Sequence, residues 1–137
     1  MSNEVNATKA NEAPTRLADG TYQPVLTVSD LDRCGRRWML GASIYNYESQ
    51  CAPAVMFATE PALRKIYAGD EEGYRRSLLS TYRYYNATPQ VSGLLLGAGL
   101  ALEDKGHNDA IDAVQDLKIG LMGSLSGVGD TIFAILI

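Results

Sequence analysis

Tyr45, Asn46 and Glu48 put an aromatic ring, an amide and a carboxylate within one short stretch. Together they offer what a hexose needs: a face for its ring to lie on and partners for its hydroxyls. The same residues could instead close a buried polar network between helices, and from the residues alone the two readings weigh equally. Asp130 is the second candidate, with the Gly127–Gly129 backbone beside it. A carboxylate in so apolar a run is costly, which marks it as a functional group or a member of an ion pair. Its structural alternative is a charge paired with Lys118 or an arginine across a helix interface.

Other chemistries lack their residues. His107 is the only histidine and sits in the polar run Glu103–Asp109, the setting of a solvated loop histidine rather than a catalytic one. Cys34 and Cys51 are the only cysteines. They have no Cys or His at zinc spacing, which argues against a metal site and against a disulfide framework. The run Gly120–Asp130 shares only its glycines with a phosphate loop: it has no Gly-Lys-Ser/Thr ending and no Gly-x-Gly-x-x-Gly pattern. No catalytic residue, cofactor or metal is expected. Lys+Arg 12 against Asp+Glu 16 gives a net charge of -4, which argues against a nucleic-acid partner.

The elements that must hold these residues read as helices throughout. A chain of 137 residues, 46% hydrophobic and 20% charged, has room for one domain at most. Residues 1–24 are rich in Asn, Glu, Ala, Thr and Pro and are expected to form a flexible tail without a signal peptide. Asn6-Ala7-Thr8 and Asn86-Ala87-Thr88 match a glycosylation sequon, read here as chance. Thr27, Ser29 and Asp30 start a helix expected to run from Ser29 to about Tyr47. Arg33, Arg36 and Arg37 on one side, followed by Trp38, fit a solvated face over a core Trp, or a helix lying at a membrane surface. Pro53 and Pro61 are expected to leave Ala54–Thr59 short or kinked, with a helical turn or two from Pro61 to Tyr67. Glu71–Asn86 is the best amphipathic helix, with Tyr74, Leu78, Tyr82 and Tyr85 on one stripe and Arg75, Arg76 and Arg83 flanking it.

From residue 91 the chain changes character. Val91–Leu102 carries no charge. As a helix it reaches about 18 Å, short of a hydrocarbon core of about 30 Å, so it is a half-membrane helix or a buried one. Gly93 and Gly97 make a small-residue stripe on which a second helix can close in lipid. In a soluble protein each would cost roughly 1 kcal/mol against Ala. Asp109–Leu117 is expected to be helical. Beyond it, Gly120, Gly123, Gly127 and Gly129 predict backbone broken at membrane depth, with Gly123 and Gly127 as further helix-packing positions. The architecture this predicts is all-α and membrane-associated: amphipathic interfacial helices followed by half-membrane or broken apolar helices. The rival is a soluble helical-bundle enzyme or binding module using the Gly-rich 120–130 segment around a small ligand. A third reading is a peripheral protein held on lipid by its two Arg-bearing helices.

The motifs, taken in order, resemble those of the IID subunit of the mannose/fructose/sorbose-type sugar phosphotransferase system. Leu26-Thr27 with Asp30-Leu31 resembles that family's Leu-Thr-x-x-Asp-Leu. Ser43-Ile44-Tyr45-Asn46-Tyr47-Glu48 is similar to its Ser-Trp-Asn-Tyr/Phe-Glu, and Pro61-Ala62-Leu63-Arg64-Lys65-Ile66-Tyr67 to its Pro-Ala-Leu-Lys-Lys-Leu-Tyr. Tyr84-Tyr85-Asn86-Ala87-Thr88-Pro89 resembles Phe-Phe-Asn-Thr-x-Pro, and Leu100-Ala101-Leu102-Glu103 resembles Leu-Ala-Leu-Glu. Lys118-Ile119-Gly120-Leu121-Met122-Gly123 through Gly127-Val128-Gly129-Asp130 is similar to Lys-Val-Gly-Leu-Met-Gly-Pro-Leu-Ala-Gly-Ile/Val-Gly-Asp. The departures are Tyr45 for the family's Trp, with Ile44 as an extra residue, and Ser124 and Ser126 for its Pro and Ala.

The resemblance implies a membrane translocation subunit in the bacterial inner (cytoplasmic) membrane. It would take up a hexose of the mannose/fructose/sorbose class with a IIC membrane subunit. Cytoplasmic IIA and IIB phosphocarriers would phosphorylate the sugar, so this chain is no enzyme itself. Tyr45, Asn46, Glu48 and Asp130 are its candidate sugar contacts, and membrane lipid is its surroundings. The family continues past the Asp130 motif into further spans, so residues 25–137 match its N-terminal half and are expected to be a truncated copy or one part of a split subunit. The arginines at 33–37 and 75–83 point to the cytoplasmic side.

Overall fold

The computed structural model describes residues 14–41 and 43–136, without the side chain of Phe133. The sequon at Asn6, most of the expected tail and Ala42 lie outside the described residues. The helices are α1 (Val28–Gly41), α2 (Ala52–Ile66), α3 (Glu71–Thr81), α4 (Pro89–Gly106) and α5 (Ile111–Leu136), with a short 3-10 turn at His107–Asp109 between the last two. Only isolated bridges stand in for strands among the described residues, so the all-α expectation holds.

Each helix starts for a local reason. Ahead of α1, the Thr27 amide donates to Asp30 Oδ2 at 2.8 Å and the Asp30 amide returns a bond to Thr27 Oγ1 at 3.3 Å. This reciprocal cap satisfies two otherwise orphaned donors. Asp70 caps α3 by accepting from the Gly73 amide at 2.9 Å. Pro89 opens α4, where its missing N–H costs nothing. Two helices end earlier than their patterns predict. α1 stops at Gly41, whose bare Cα leaves only 2.9 Å between a built Cβ and the Phe57 ring. α3 stops at Thr81, whose carbonyl accepts from Lys118 Nζ at 3.4 Å instead of continuing the ladder. Tyr85, expected on the α3 stripe, therefore lies beyond the helix and is wholly buried.

Pro61 does not cut the chain: α2 runs unbroken through it. A proline inside a helix deprives the carbonyl four residues earlier of its donor. That carbonyl belongs to Phe57, and Arg37 Nε of α1 donates to it at 2.7 Å. The Arg37 guanidinium also lies 4.0 Å from the centre of the Phe57 ring. Arg37→Met should therefore leave an unsatisfied carbonyl and destabilise the chain by about 1–2 kcal/mol. Thermal unfolding in mild detergent reads this; an unchanged midpoint would mean that water replaces the guanidinium.

Two apolar clusters hold the helices together. Trp38, Val55, Tyr85, Leu95 and Leu96 join α1, α2 and α4. Leu63, Ile66, Leu100 and Ile111 join α2 and α4 to the start of α5. Trp38 is thus a core residue, with Nε1 donating to Pro89 O at 2.8 Å, while Arg33 and Arg36 face outward. α4 and α5 form a hairpin. The polar loop expected at Glu103–Asp109 is mostly the last turn of α4, with Glu103 and Asp104 buried. The break expected at Gly120–Asp130 is absent, because α5 continues through all four glycines. In apolar surroundings a helix that keeps its own backbone hydrogen bonds is cheaper than one that opens them. At 26 residues, α5 is about 39 Å long, enough to cross a membrane. Only 6% of its most apolar window is buried. Ile119, Leu121, Val128, Ile132, Ile135 and Leu136 are exposed along it.

Candidate functional site

The stretch carrying Tyr45, Asn46 and Glu48 is the turn between α1 and α2. Asn46 and Gln50 exchange backbone hydrogen bonds of 3.2 and 3.0 Å across it. Asn46 Oδ1 accepts from the Ser49 amide at 2.7 Å and from Ser49 Oγ at 2.9 Å. Its side chain is therefore occupied in shaping the turn. The Tyr45 hydroxyl donates to Gln50 Oε1, while its ring is 58% exposed. Glu48 is exposed. A ring and a carboxylate are thus presented outward on a turn that an amide braces.

Asp130 sits on α5, and its partner is Thr88, whose Oγ1 donates to Asp130 Oδ1 at 2.8 Å. The alternative pairing with Lys118 or an arginine is not made among the described residues. Lys118 turns instead to the Thr81 carbonyl and to the Tyr85 ring, 5.5 Å from its centre. Gly129 lets α5 touch the loop at Thr88: a Cβ there would stand 2.5 Å from Thr88 Cβ.

Both candidate groups rest on one strut, the segment from Arg83 to Pro89. Tyr85 O accepts from the Cys51 amide at 2.9 Å, and the Tyr85 amide donates to Ser49 O at 3.3 Å, fixing the turn of Tyr45 and Glu48. The Asn86 amide meets Met122 Sδ at 3.2 Å, and Thr88 holds Asp130. The structure brings the turn and Asp130 onto the same strut but gives no contact between them.

Gly93, Gly97, Gly123 and Gly127 have nothing within 4 Å of a built Cβ, so among the described residues no helix closes on them. The close approaches are made by other glycines: Gly41 on Phe57, Gly99 on Val114 and Gly129 on Thr88. Gly93 and Gly97 instead line a groove of about 160 Å³ with Cys34, Gly35, Trp38 and Leu100. Cys34 and Cys51 are free and buried.

Two buried polar centres were not visible in the sequence pattern. Glu103 Oε2 accepts from Tyr67 OH at 2.8 Å and from Ser77 Oγ at 2.5 Å. Burial, and then the Glu103 carboxylate, push the Tyr67 phenol far up, so it is a neutral donor. The signal was Glu103 in an apolar helical run, where a charge needs partners. His107, read as a solvated loop residue, is buried. Its ring stacks on Tyr22 with centres 3.8 Å apart. Residues 14–24, assigned to the tail by composition, include this contact and a bond from the Tyr22 amide to Lys105 O of 2.8 Å.

A family model described as the PTS system mannose/fructose/sorbose family IID component matches residues 25–137. The chain belongs to this family. The mannose-specific EIID component of Escherichia coli (strain K12) is 36% identical over 116 residues, covering 82% of this chain and 41% of that relative. The fructose permease IID component of Bacillus subtilis (strain 168) is 32% identical over 99 residues, covering 70% of this chain and 35% of the relative. Among solved structures, the chain is similar to one in the cryo-EM structure of the mannose transporter ManYZ and microcin E492 complex. There the TM-score is 0.75 and the identity 34%, covering 81% of this chain and 42% of that one. The IID chain described here therefore spans well under half the length of these relatives. Its all-α, membrane-associated fold is that of the family.

Proposed function

We propose that this chain serves as part of the membrane translocation subunit of a sugar phosphotransferase system in the bacterial cytoplasmic membrane. It takes up a hexose of the mannose/fructose/sorbose class with a IIC subunit, and IIA and IIB proteins carry the phosphoryl group. The chain itself performs no phosphoryl transfer. The observation that carries the reading is α5, an apolar helix inside the stretch matched to the family, whose surface is left uncovered among the described residues. Lipid or an apolar partner helix must cover it. The soluble-module rival needs the apolar surface of residues 119–136 to be covered, and within the described residues it is not.

Sugar contact falls to Tyr45, Glu48 and Asp130 by chemistry: one exposed ring and two carboxylates able to accept from hydroxyls. Asn46 supports them by bracing the turn. Gly93, Gly97, Gly123 and Gly127, open within the chain, are the positions at which helices of a IIC partner can approach closely.

Glu48→Ala, placed in the complete transporter, is expected to abolish hexose uptake while the subunits still co-purify. Labelled-sugar uptake and pull-down of the partner from the same cells measure the two separately. Loss of assembly together with uptake would assign Glu48 a structural role instead.

A further inference from the structure

The segment ahead of α1 is fastened to the elbow between α4 and α5 by contacts that the transport reading leaves unused. Besides the Tyr22 amide on Lys105 O, the Val25 and Leu26 amides donate to the two carboxylate oxygens of Asp104 at 2.9 and 3.1 Å. Tyr22 stacks on His107, and Tyr67 meets the same ring edge-on at 5.4 Å. On the outside, Arg16 lies over the Tyr22 ring and 3.9 Å from Asp109.

His107 is the member of this cluster whose state can change. It is 4% exposed, and its φ of 48° is one that residues other than glycine seldom adopt. Its Nε2 is buried with no hydrogen-bond partner among the described residues. A neutral ring forgoes one acceptor bond there. A protonated ring would leave a charged N–H donor with nothing to receive it, which costs far more.

The groups facing the ring do not supply that acceptor. Asp104, from α4, is engaged by the Val25 and Leu26 amides. Asp70, from the turn before α3, is engaged by the Gly73 amide and by Asn108 Nδ2 at 2.8 Å. Tyr67 spends its hydroxyl on Glu103. Lys105 contributes its backbone carbonyl to Tyr22, and Arg16 is exposed and paired with Asp109. Burial outweighs the pull of Asp104 and Asp70, so the ring's pKa lies below the ordinary histidine value.

We propose that residues 14–26 are a pH-sensitive strap, closed on the α4–α5 elbow by neutral His107 and released when that ring takes up a proton. The ring binds a proton more readily when the strap is open than when it is shut. Closure is therefore complete above an ordinary histidine pKa of about 6.5 and is lost as pH falls below it, by up to about tenfold per unit.

Hydrogen exchange on the full chain in detergent tests this, read on the peptide covering residues 14–26 and corrected for intrinsic rates. Between about pH 6.5 and 5.5 the protection of that peptide should fall by up to roughly tenfold, while a control peptide in α2 stays constant. His107→Gln should remove the pH dependence. Because His107 is the only histidine, the untagged chain with labelled histidine also reports its titration directly by NMR, without any variant. A ring that titrates below the ordinary value in step with loss of strap protection supports the proposal. Strap protection that is flat with pH, a dependence that survives in His107→Gln, or a ring that titrates normally while the strap stays shut overturns it.

Discussion

Glu103→Leu is expected to destabilise the chain by about 3–5 kcal/mol, chiefly because two buried hydroxyls lose their shared acceptor. Glu103 and Lys118 are 3% and 5% exposed, and they line one small cavity otherwise walled by residues such as Val55, Leu63, Leu95 and Val114. Removing the carboxylate leaves the Lys118 ammonium in a cavity with no opposite charge lining it. It also strands the hydroxyls of Tyr67 and Ser77, which lose their shared acceptor. Glu103→Gln keeps an acceptor oxygen and loses only the charge, so its cost should be intermediate. Adding Lys118→Met to Glu103→Leu should recover part of the loss, since it takes a buried ammonium out of a cavity that no longer holds a carboxylate. Thermal unfolding in mild detergent, followed by far-UV circular dichroism, measures the series. A single variant within about 1 kcal/mol of wild type would mean that water reaches the ammonium.

Trp38→Ala is expected to cost a similar amount, about 3–5 kcal/mol. The indole fills the junction of α1, α2 and α4 and is 3% exposed. Its Nε1 is the donor on Pro89 O, at the end of the strut that carries both candidate sugar-contact groups. Truncation therefore removes packing and frees the start of α4 together. Trp38→Phe should restore most of the packing but not that bond, and so should recover more than half of the loss. Equal costs for Ala and Phe would show that the hydrogen bond, rather than the volume, is what the site needs.

How much of this was legible in the sequence depends on how local the cause was. The Thr27–Asp30 cap and the helical character of most segments follow from neighbours in the chain, and both are legible in the sequence. Pro61 was read as an interruption because the donor that rescues Phe57 O comes from Arg37, in another helix. His107 looked solvated because its own neighbours are polar; its burial comes from Tyr22 and Tyr67, distant in sequence. Gly120 to Gly129 looked broken because glycine is the costliest common residue in a soluble helix. An apolar environment reverses that preference. At the candidate site the residue types were legible, but their partners were not. Asp130 takes Thr88 rather than a cation, because Gly129 lets α5 reach that loop.

The central claim is that this chain is an integral part of a sugar-translocating membrane unit. Alkaline extraction of membranes from cells expressing it with its IIC subunit, followed by purification through a tag on this chain, tests that most directly. The chain should stay in the alkali-resistant pellet and, after mild solubilisation, bring the IIC subunit with it. A chain released to the supernatant by alkali or by salt, with no IIC subunit attached, would contradict it.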